Sequence, residues 1–123
     1  IHHLDGPQIQ QLFQDVYRML APGGVFIIAD LVQPVGVDGV KTAAASWDES
    51  VRGRALMLDG DTAVYDQFRQ TEWNLFIYPD SMNKPSPLLH QLTWLAETGF
   101  SEVDVYWMQA GHAIYGGRTS GNP

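Results

Sequence analysis

Side chains that could move a proton stand at two places in this sequence of 123 residues. His2 and His3 are adjacent near its start, and Asp30 directly follows an apolar run. An imidazole or a carboxylate can take a proton from a hydroxyl or an amine, so these three residues are candidate general bases. A metal site is not expected, because the sequence has no cysteine and no acidic residue at ligand spacing from the two histidines.

Two further histidines are weaker candidates for chemistry. His112 begins a predicted strand, and we expect it to be structural. His90 lies beside Gln91 in a predicted helix, and an exposed position on that helix is the simpler interpretation.

Aromatic residues are concentrated between residues 31 and 86. Most of them are expected to form a small core of their own. Ligand sites are also mostly apolar, however, so some of these side chains could line a pocket. We predict that a small organic molecule, rather than a nucleic acid, contacts four of them: Trp47, Phe68, Trp73 and Phe76.

The candidate base Asp30 depends on a helix, a turn and a strand. Pro22 cannot continue the preceding helix, and Gly23 and Gly24 allow a tight turn. The run from Val25 to Ala29 is apolar without alternation, which is typical of a strand buried on both faces of a parallel sheet. Ligands bind outside the carboxyl ends of such strands, so Asp30 would lie at the edge of a site. The alternative is that Asp30 only stops the strand or caps the next turn.

The periodicity and the helix-capping signals predict seven elements in total. Helices are expected over Pro7–Leu20, Asp38–Leu58, Thr62–Phe76 and Pro87–Thr98, with strands over Val25–Asp30, Glu102–Met108 and His112–Gly117. Residues 31–86 far exceed the roughly 2–6 residues of an ordinary strand-to-helix loop, so we interpret them as a helical insertion. Residues 118–123 are predicted to be a polar tail.

The composition restricts the partners and the location. The net charge of −7 argues against a nucleic acid and against an anionic membrane surface. The apolar runs are too short to span a bilayer. The absence of cysteine fits a cytoplasmic protein, and the length has room for one domain.

The order of these pieces resembles the C-terminal half of a class I S-adenosylmethionine-dependent methyltransferase. No single motif is specific, but their joint order is. The matching pieces are Ile1–Leu4, Tyr17–Gly24, the strand to Asp30, Leu95–Phe100 and the terminal hairpin ending at Gly117.

The resemblance implies an α/β fold, the C-terminal part of a Rossmann-like methyltransferase sheet. It would contain a parallel strand, a crossover helix and a terminal hairpin whose antiparallel last strand lies between the other two. Residues 1–123 would then be a partial methyltransferase domain, with residues 31–86 as a helical insertion over the acceptor substrate.

The same resemblance implies S-adenosyl-L-methionine as cofactor, with Ile1, His2 and His3 beside it. The family holds this cofactor with a glycine-rich loop and with an acidic residue for the ribose. The sequence contains no G-x-G segment, so the main binding loop is absent from this chain and we expect weak cofactor binding.

Three functions fit these features to different degrees. The first is a C-terminal, acceptor-side fragment of a methyltransferase acting on a small molecule. The second is a non-catalytic methyltransferase-like module for dimerisation or partner binding. The third, another doubly wound enzyme such as a dehydrogenase, is disfavoured by the terminal hairpin. In either of the first two cases the strand Val25–Ala29 would have an unpaired edge and partly uncovered faces, so we expect a homodimer unless the insertion covers the gap.

Overall fold

The computed structural model describes residues 1–120 of the chain. It contains four helices and three strands, in the order α1 (Gly6–Met19), β1 (Val25–Leu31), α2 (Val37–Asp59), α3 (Ala63–Gln70), α4 (Leu88–Thr98), β2 (Ser101–Gln109) and β3 (His112–Arg118).

The three strands form one sheet in the order β1-β3-β2. Strand β3 pairs with β1 and with β2, antiparallel to both, so the prediction that the last strand is antiparallel and lies between the other two is confirmed. The expected parallel sheet is not formed within residues 1–120. Strands β1 and β2 run in the same direction, but β3 separates them and every hydrogen-bonded pair is antiparallel.

One face of the sheet is covered by α1 and α4. The core between them contains Ile9 and Phe13 of α1, Leu95 of α4, Ile28 of β1 and Tyr115 of β3. Helix α1 begins at a capping box, in which the Asp5 carboxylate accepts from the backbone of Gln8 and the Gln8 side chain accepts from the backbone of Asp5.

The other face of β1 is open. Val25 and Ile27 point away from the helices and are 46% and 51% exposed, whereas Ile28 is buried. The expectation that β1 is buried on both faces is therefore wrong for the described residues, because helices cover only one side. The insertion does not shield these side chains, and within residues 1–120 the outer edge of β1 has no partner strand.

The insertion contains two helices, and the second is shorter than predicted. Helix α2 ends at Asp59, and its C-cap residue Gly60 has a left-handed φ of 74°, as expected for a glycine at this position. The helix predicted over 62–76 ends at Gln70, because Glu72 adopts a left-handed φ of 53° that no helix can continue. Asn74 then holds the following segment on α2. Its buried side chain donates to the backbone oxygen of Ala44 and accepts from the backbone N–H of Phe76.

A second, smaller core places the insertion on the hairpin. Phe76 packs with Ala43, Ala44 and Trp47, and its ring fills the space in which a Cβ on Gly111 would lie. The insertion is thereby seated beside the carboxyl end of β1.

The first two residues of the predicted polar tail, Arg118 and Thr119, belong to the folded structure. Arg118 belongs to β3, and the buried Thr119 donates its hydroxyl hydrogen to the backbone oxygen of Ala21. The rest of the predicted tail, residues 121–123, lies outside the described residues. None of the helices in the described part combines the length and the apolar character needed to cross a membrane.

Candidate functional site

Two candidate bases, 28 residues apart in the chain, are joined in the structure. The Asp30 Oδ1 atom lies 2.6 Å from Nδ1 of His2, and Oδ2 accepts from the His2 backbone N–H at 2.9 Å. A carboxylate can only accept hydrogen bonds, so Nδ1 of His2 carries the hydrogen. The other ring nitrogen, Nε2, is then free to accept a proton when the imidazole is neutral.

Asp30 is held in its charged form. Burial acts to raise its pKa, but hydrogen bonds from the His2 ring and from the backbone N–H groups of Leu31 and His2 act in the opposite direction, and the pKa is lowered overall. A carboxylate stabilised in this way orients His2 and is a poor proton acceptor itself.

A cavity of about 850 Å³ opens beside this pair, at the carboxyl end of β1. His2, His3 and Asp30 are part of its wall. The two histidine rings lie 4.2 Å apart between centroids, so both reach the same space. The hairpin contributes Trp107 and His112 to the same wall.

Trp47 of α2 is the central aromatic residue of the site. Its ring contacts those of Phe68 and Phe76, each at 5.7 Å between centroids, and the His112 ring edge-on at 4.7 Å. A second cavity, of about 730 Å³, lies along the C-terminal half of α2. Trp47, Trp107 and His112 line both cavities, so they form the wall between them.

The four predicted substrate residues have different positions. Trp47 and Trp73 line the first cavity. Phe68 and Phe76 pack behind Trp47 and are in the wall of neither cavity. They support the wall, as expected for residues of the insertion's own core. Ile1, predicted to lie beside the cofactor, packs against the main core and is absent from both cavity walls.

Several cavity residues were not predicted from the sequence. These are Glu72, Tyr78, Asp80, Trp107 and His112. His112 is structural, as expected, because Nδ1 contacts the Ala110 backbone oxygen at 2.7 Å and the ring packs on Trp47, but it also faces the cavity. Asp80 had a local signal, since an aspartate followed three residues later by Asn83 is typical of a turn closed by side-chain hydrogen bonds. His90 is exposed on α4, as predicted. Within the described part of the chain, no three His, Asp or Glu side chains are grouped as metal ligands.

Comparisons with known proteins bear on the fold. The structure is similar to that of the S-adenosylmethionine-dependent methyltransferase SibL in its apo form, with a TM-score of 0.55 and 15% sequence identity over 98% of this chain and 28% of that chain. It is also similar to a possible exported protein from Bordetella parapertussis, with a TM-score of 0.58 and 18% identity over 94% of this chain and 34% of that chain. This chain therefore spans about a third of these proteins or less. No family model matches the sequence, and no curated protein matches it. The similarity is at the level of the fold: a small mixed α/β domain resembling part of a methyltransferase.

Proposed function

We propose that this chain forms the acceptor-binding side of an S-adenosylmethionine-dependent methyltransferase that acts on a small molecule. The observation that carries the proposal is the His2–Asp30 pair in the wall of a cavity large enough for a small organic ligand. The fold similarity to a methyltransferase supports the reaction class. The cysteine-free sequence supports a cytoplasmic location, which we propose with it.

The described residues do not provide a cradle for the cofactor's nucleotide. Such a cradle needs glycines between a strand and the start of a helix, so that the backbone can approach the ligand closely. The left-handed glycines within residues 1–120 have other uses: Gly60 and Gly99 end helices, Gly111 forms the hairpin turn, and Gly23 forms the turn after α1. S-adenosylmethionine would supply the methyl group, and the contributions proposed for this chain are acceptor binding and proton transfer.

His2 is the proposed general base. Its Nε2 atom accepts a proton from the hydroxyl or amine that is to be methylated, while Asp30 fixes the ring through Nδ1 and stabilises the imidazolium that forms. In this proposal Asp30 is a positioning residue. His3 shares the wall with His2 and is the second candidate for the base. The contacts of Ile1, His2 and His3 with the cofactor remain a prediction.

The test measures transfer of a labelled methyl group from S-adenosylmethionine to hydroxyl and amine acceptors. It uses the longer methyltransferase of which this chain is proposed to be one part, called the intact protein below. Replacing a general base costs about 100-fold or more in rate, so His2→Gln is expected to lower kcat by that factor. His90→Gln is the matched control, because His90 is exposed and lies outside the cavity. Unchanged kcat in His2→Gln would transfer the role of base to His3, and no methyl transfer to any acceptor would refute the proposed function.

Titration calorimetry of the isolated chain tests the missing cradle separately. We expect no binding of S-adenosylmethionine, or binding weaker than about 1 μM, which corresponds to roughly −8 kcal/mol. Submicromolar binding by this chain alone would show that it contains a nucleotide site which the structure does not reveal.

A non-catalytic, methyltransferase-like module is the second candidate function. The observation that favours it is the open face of β1, where Val25 and Ile27 are exposed. Apolar area of this kind is typical of an interface. This candidate predicts association of the chain without any methyl transfer by the intact protein.

A further inference from the structure

We propose that the cavity beside His2 selects ligands that carry a positive charge on an apolar framework, such as an aryl ammonium. As a statement about the methyl acceptor, this inference rests on the proposed function. As a statement about binding, it is a property of the cavity wall and can be tested without any cofactor.

The charge balance of the wall is the first argument. It contains three acids, Asp30, Glu72 and Asp80, together with the three histidines His2, His3 and His112, and no lysine or arginine. The charge of Asp30 is already engaged by His2. Glu72 and Asp80 form no ion pair with any lysine or arginine among residues 1–120. Two carboxylates therefore face the cavity without a lysine or arginine partner, which favours a positive ligand and disfavours a negative one when the histidines of the wall are neutral.

The carboxylate of Asp80 is fixed in place by its own turn. Its Oδ1 atom accepts from the backbone N–H groups of Asn83 and Met82 at 2.9 and 2.8 Å, and Oδ2 accepts from Nδ2 of Asn83 at 2.8 Å. The two Asn83 contacts, with smaller effects of Met82 and the nearby His3, lower the pKa of Asp80. The group is thus a positioned negative charge at the cavity rim rather than a mobile surface carboxylate.

The aromatic part of the wall is the second argument, and it is independent of the acids. Trp47, Trp73, Tyr78 and Trp107 all line the cavity. Trp73 is 68% exposed, so most of its side chain is not covered by other residues. Ring faces attract cations, most strongly for tryptophan. The cation–π contact within residues 1–120, Arg69 over the Tyr65 ring at 5.8 Å, involves no residue of this wall, so no lysine or arginine of the described part of the chain covers a cavity ring.

The backbone conformation at Glu72 places a carboxylate and an aromatic ring at the same cavity rim. Glu72 has a left-handed φ of 53°, which is costly for a residue with a Cβ. This conformation follows the end of α3 directly and sets Glu72 and Trp73 side by side at the cavity rim. A carboxylate and an indole ring at the same rim both attract an organic cation, the first by its charge and the second by its π face.

The experiment compares three ligands of nearly the same shape: phenyltrimethylammonium, the neutral tert-butylbenzene and the anionic benzenesulfonate. Each is titrated into the chain while the indole N–H signals of the four tryptophans are followed by NMR. Trp47, Trp73 and Trp107 line the cavity, and Trp94 is an internal control because it packs against the main core. We expect the cation to bind about tenfold more tightly than either other ligand and to shift only the three cavity signals.

Charge-neutral variants test the role of the acids. Glu72→Gln with Asp80→Asn is expected to weaken phenyltrimethylammonium binding by about fivefold to tenfold at low salt, with a smaller effect at high salt because exposed charges are screened. Asp15→Asn with Glu97→Gln is the matched control, since both acids are exposed and lie outside the cavity, and the change in net charge is the same. An equal loss of phenyltrimethylammonium affinity in the two double variants would mean a general effect of net charge and would overturn the inference.

The inference and the proposed function fail in different ways. Equal or tighter binding of benzenesulfonate or tert-butylbenzene overturns the charge selectivity, whatever the intact protein catalyses. Selective binding of the cation without any methyl transfer supports the selectivity and refutes the methyltransferase proposal. Methyl transfer that is confined to anionic or neutral acceptors supports the proposed function and overturns this inference.

Discussion

The hydroxyl of Tyr115 in β3 donates a hydrogen bond to Oε1 of Gln91 in α4, and both side chains are almost completely buried, with 0% and 1% of their surface exposed. Burial, with a smaller effect of the Asp30 charge, raises the pKa of Tyr115 well above its usual value, so the hydroxyl remains a donor. Gln91 also donates from Nε2 to the Ser86 backbone oxygen at 3.1 Å. A single glutamine therefore ties α4 to the central strand and to the segment that enters the helix.

The first prediction follows from this bond. Tyr115→Phe leaves Oε1 of Gln91 buried without a donor, and such a loss costs about 1–3 kcal/mol. Urea denaturation should show that decrease in the free energy of unfolding. Tyr106→Phe makes the same change at an exposed position of β2 and should have almost no effect. Equal stability of the two variants would contradict the assigned hydrogen bond.

The second prediction concerns the effect of pH on the His2–Asp30 pair. The pKa of Asp30 is lower in the folded chain than its ordinary value of 3.8, so folding favours the charged form. The resulting stabilisation is fully present above about pH 4 and is lost as the pH falls through the lowered folded value. Asp30→Asn should therefore be less stable than the parent chain at pH 6, and the difference should narrow below pH 3.8.

Urea midpoints measured across this pH range test the second prediction. Asp59→Asn, at the exposed end of α2, is the control and should follow the parent chain. A difference between Asp30→Asn and the parent that grows on acidification would have the wrong sign and would contradict the hydrogen-bonded carboxylate.

The third prediction separates two aromatic residues of the insertion. Phe76 is buried against Gly111, so Phe76→Ala should lower the free energy of unfolding by about 3–5 kcal/mol. Trp73 is exposed in the cavity wall, so Trp73→Ala should change stability by no more than about 0.5 kcal/mol. It should instead raise the KM for the acceptor in the intact protein, with little change in cofactor affinity. Equal loss of acceptor and cofactor affinity in Trp73→Ala would argue against an acceptor site.

The fourth prediction concerns association of the chain through β1. Its outer edge has no partner strand within residues 1–120, and Val25 and Ile27 expose apolar surface beside it. The charged residue of the strand, Asp30, is paired with His2. Strand β1 therefore carries no uncompensated charge that would oppose pairing of its outer edge with another chain. Light scattering at micromolar concentration is expected to give twice the 13.7 kDa mass of the chain.

The variant Ile27→Lys should shift this species to the monomer, because it places a charge in the apolar face. Val37→Lys is the control, since Val37 is also exposed but begins α2, away from the sheet. A monodisperse monomer of the parent chain would reject the prediction.

The sequence was sufficient to predict the ends of helices that are marked by local signals. The capping sequence from Asp5 to Pro7 and the glycines at 60 and 99 placed three helix ends to within about two residues. Strand order was not readable from any local pattern. It came from the family resemblance, because antiparallel pairing of β1 with β3 joins residues more than 80 positions apart.

The sequence was insufficient where distant groups override a local pattern. The apolar spacing from Val64 to Phe76 fits a helix, yet the hydrogen bonds of Asn74 to α2 and the left-handed Glu72 end it early. Fewer than half of the residues in the cavity wall were predicted from the sequence, because the others are brought there by contacts between distant segments. His2, Asp30 and Trp47 were identifiable by their types and positions, whereas Trp107 faces the cavity only because the hairpin folds next to the insertion.

The contact between Gly111 and the ring of Phe76 has a consequence for protein engineering. Ala110 and Gly111 both have positive φ, as in the two-residue turns that match the twist of a hairpin, and the space beside Gly111 is occupied by a residue 35 positions earlier in the chain. A chimera that receives residues 31–86 from another protein without the matching turn would carry either a void or a steric overlap at this point. The insertion and the hairpin tip are therefore one exchangeable unit, and a library that recombines them should place its crossover points outside both.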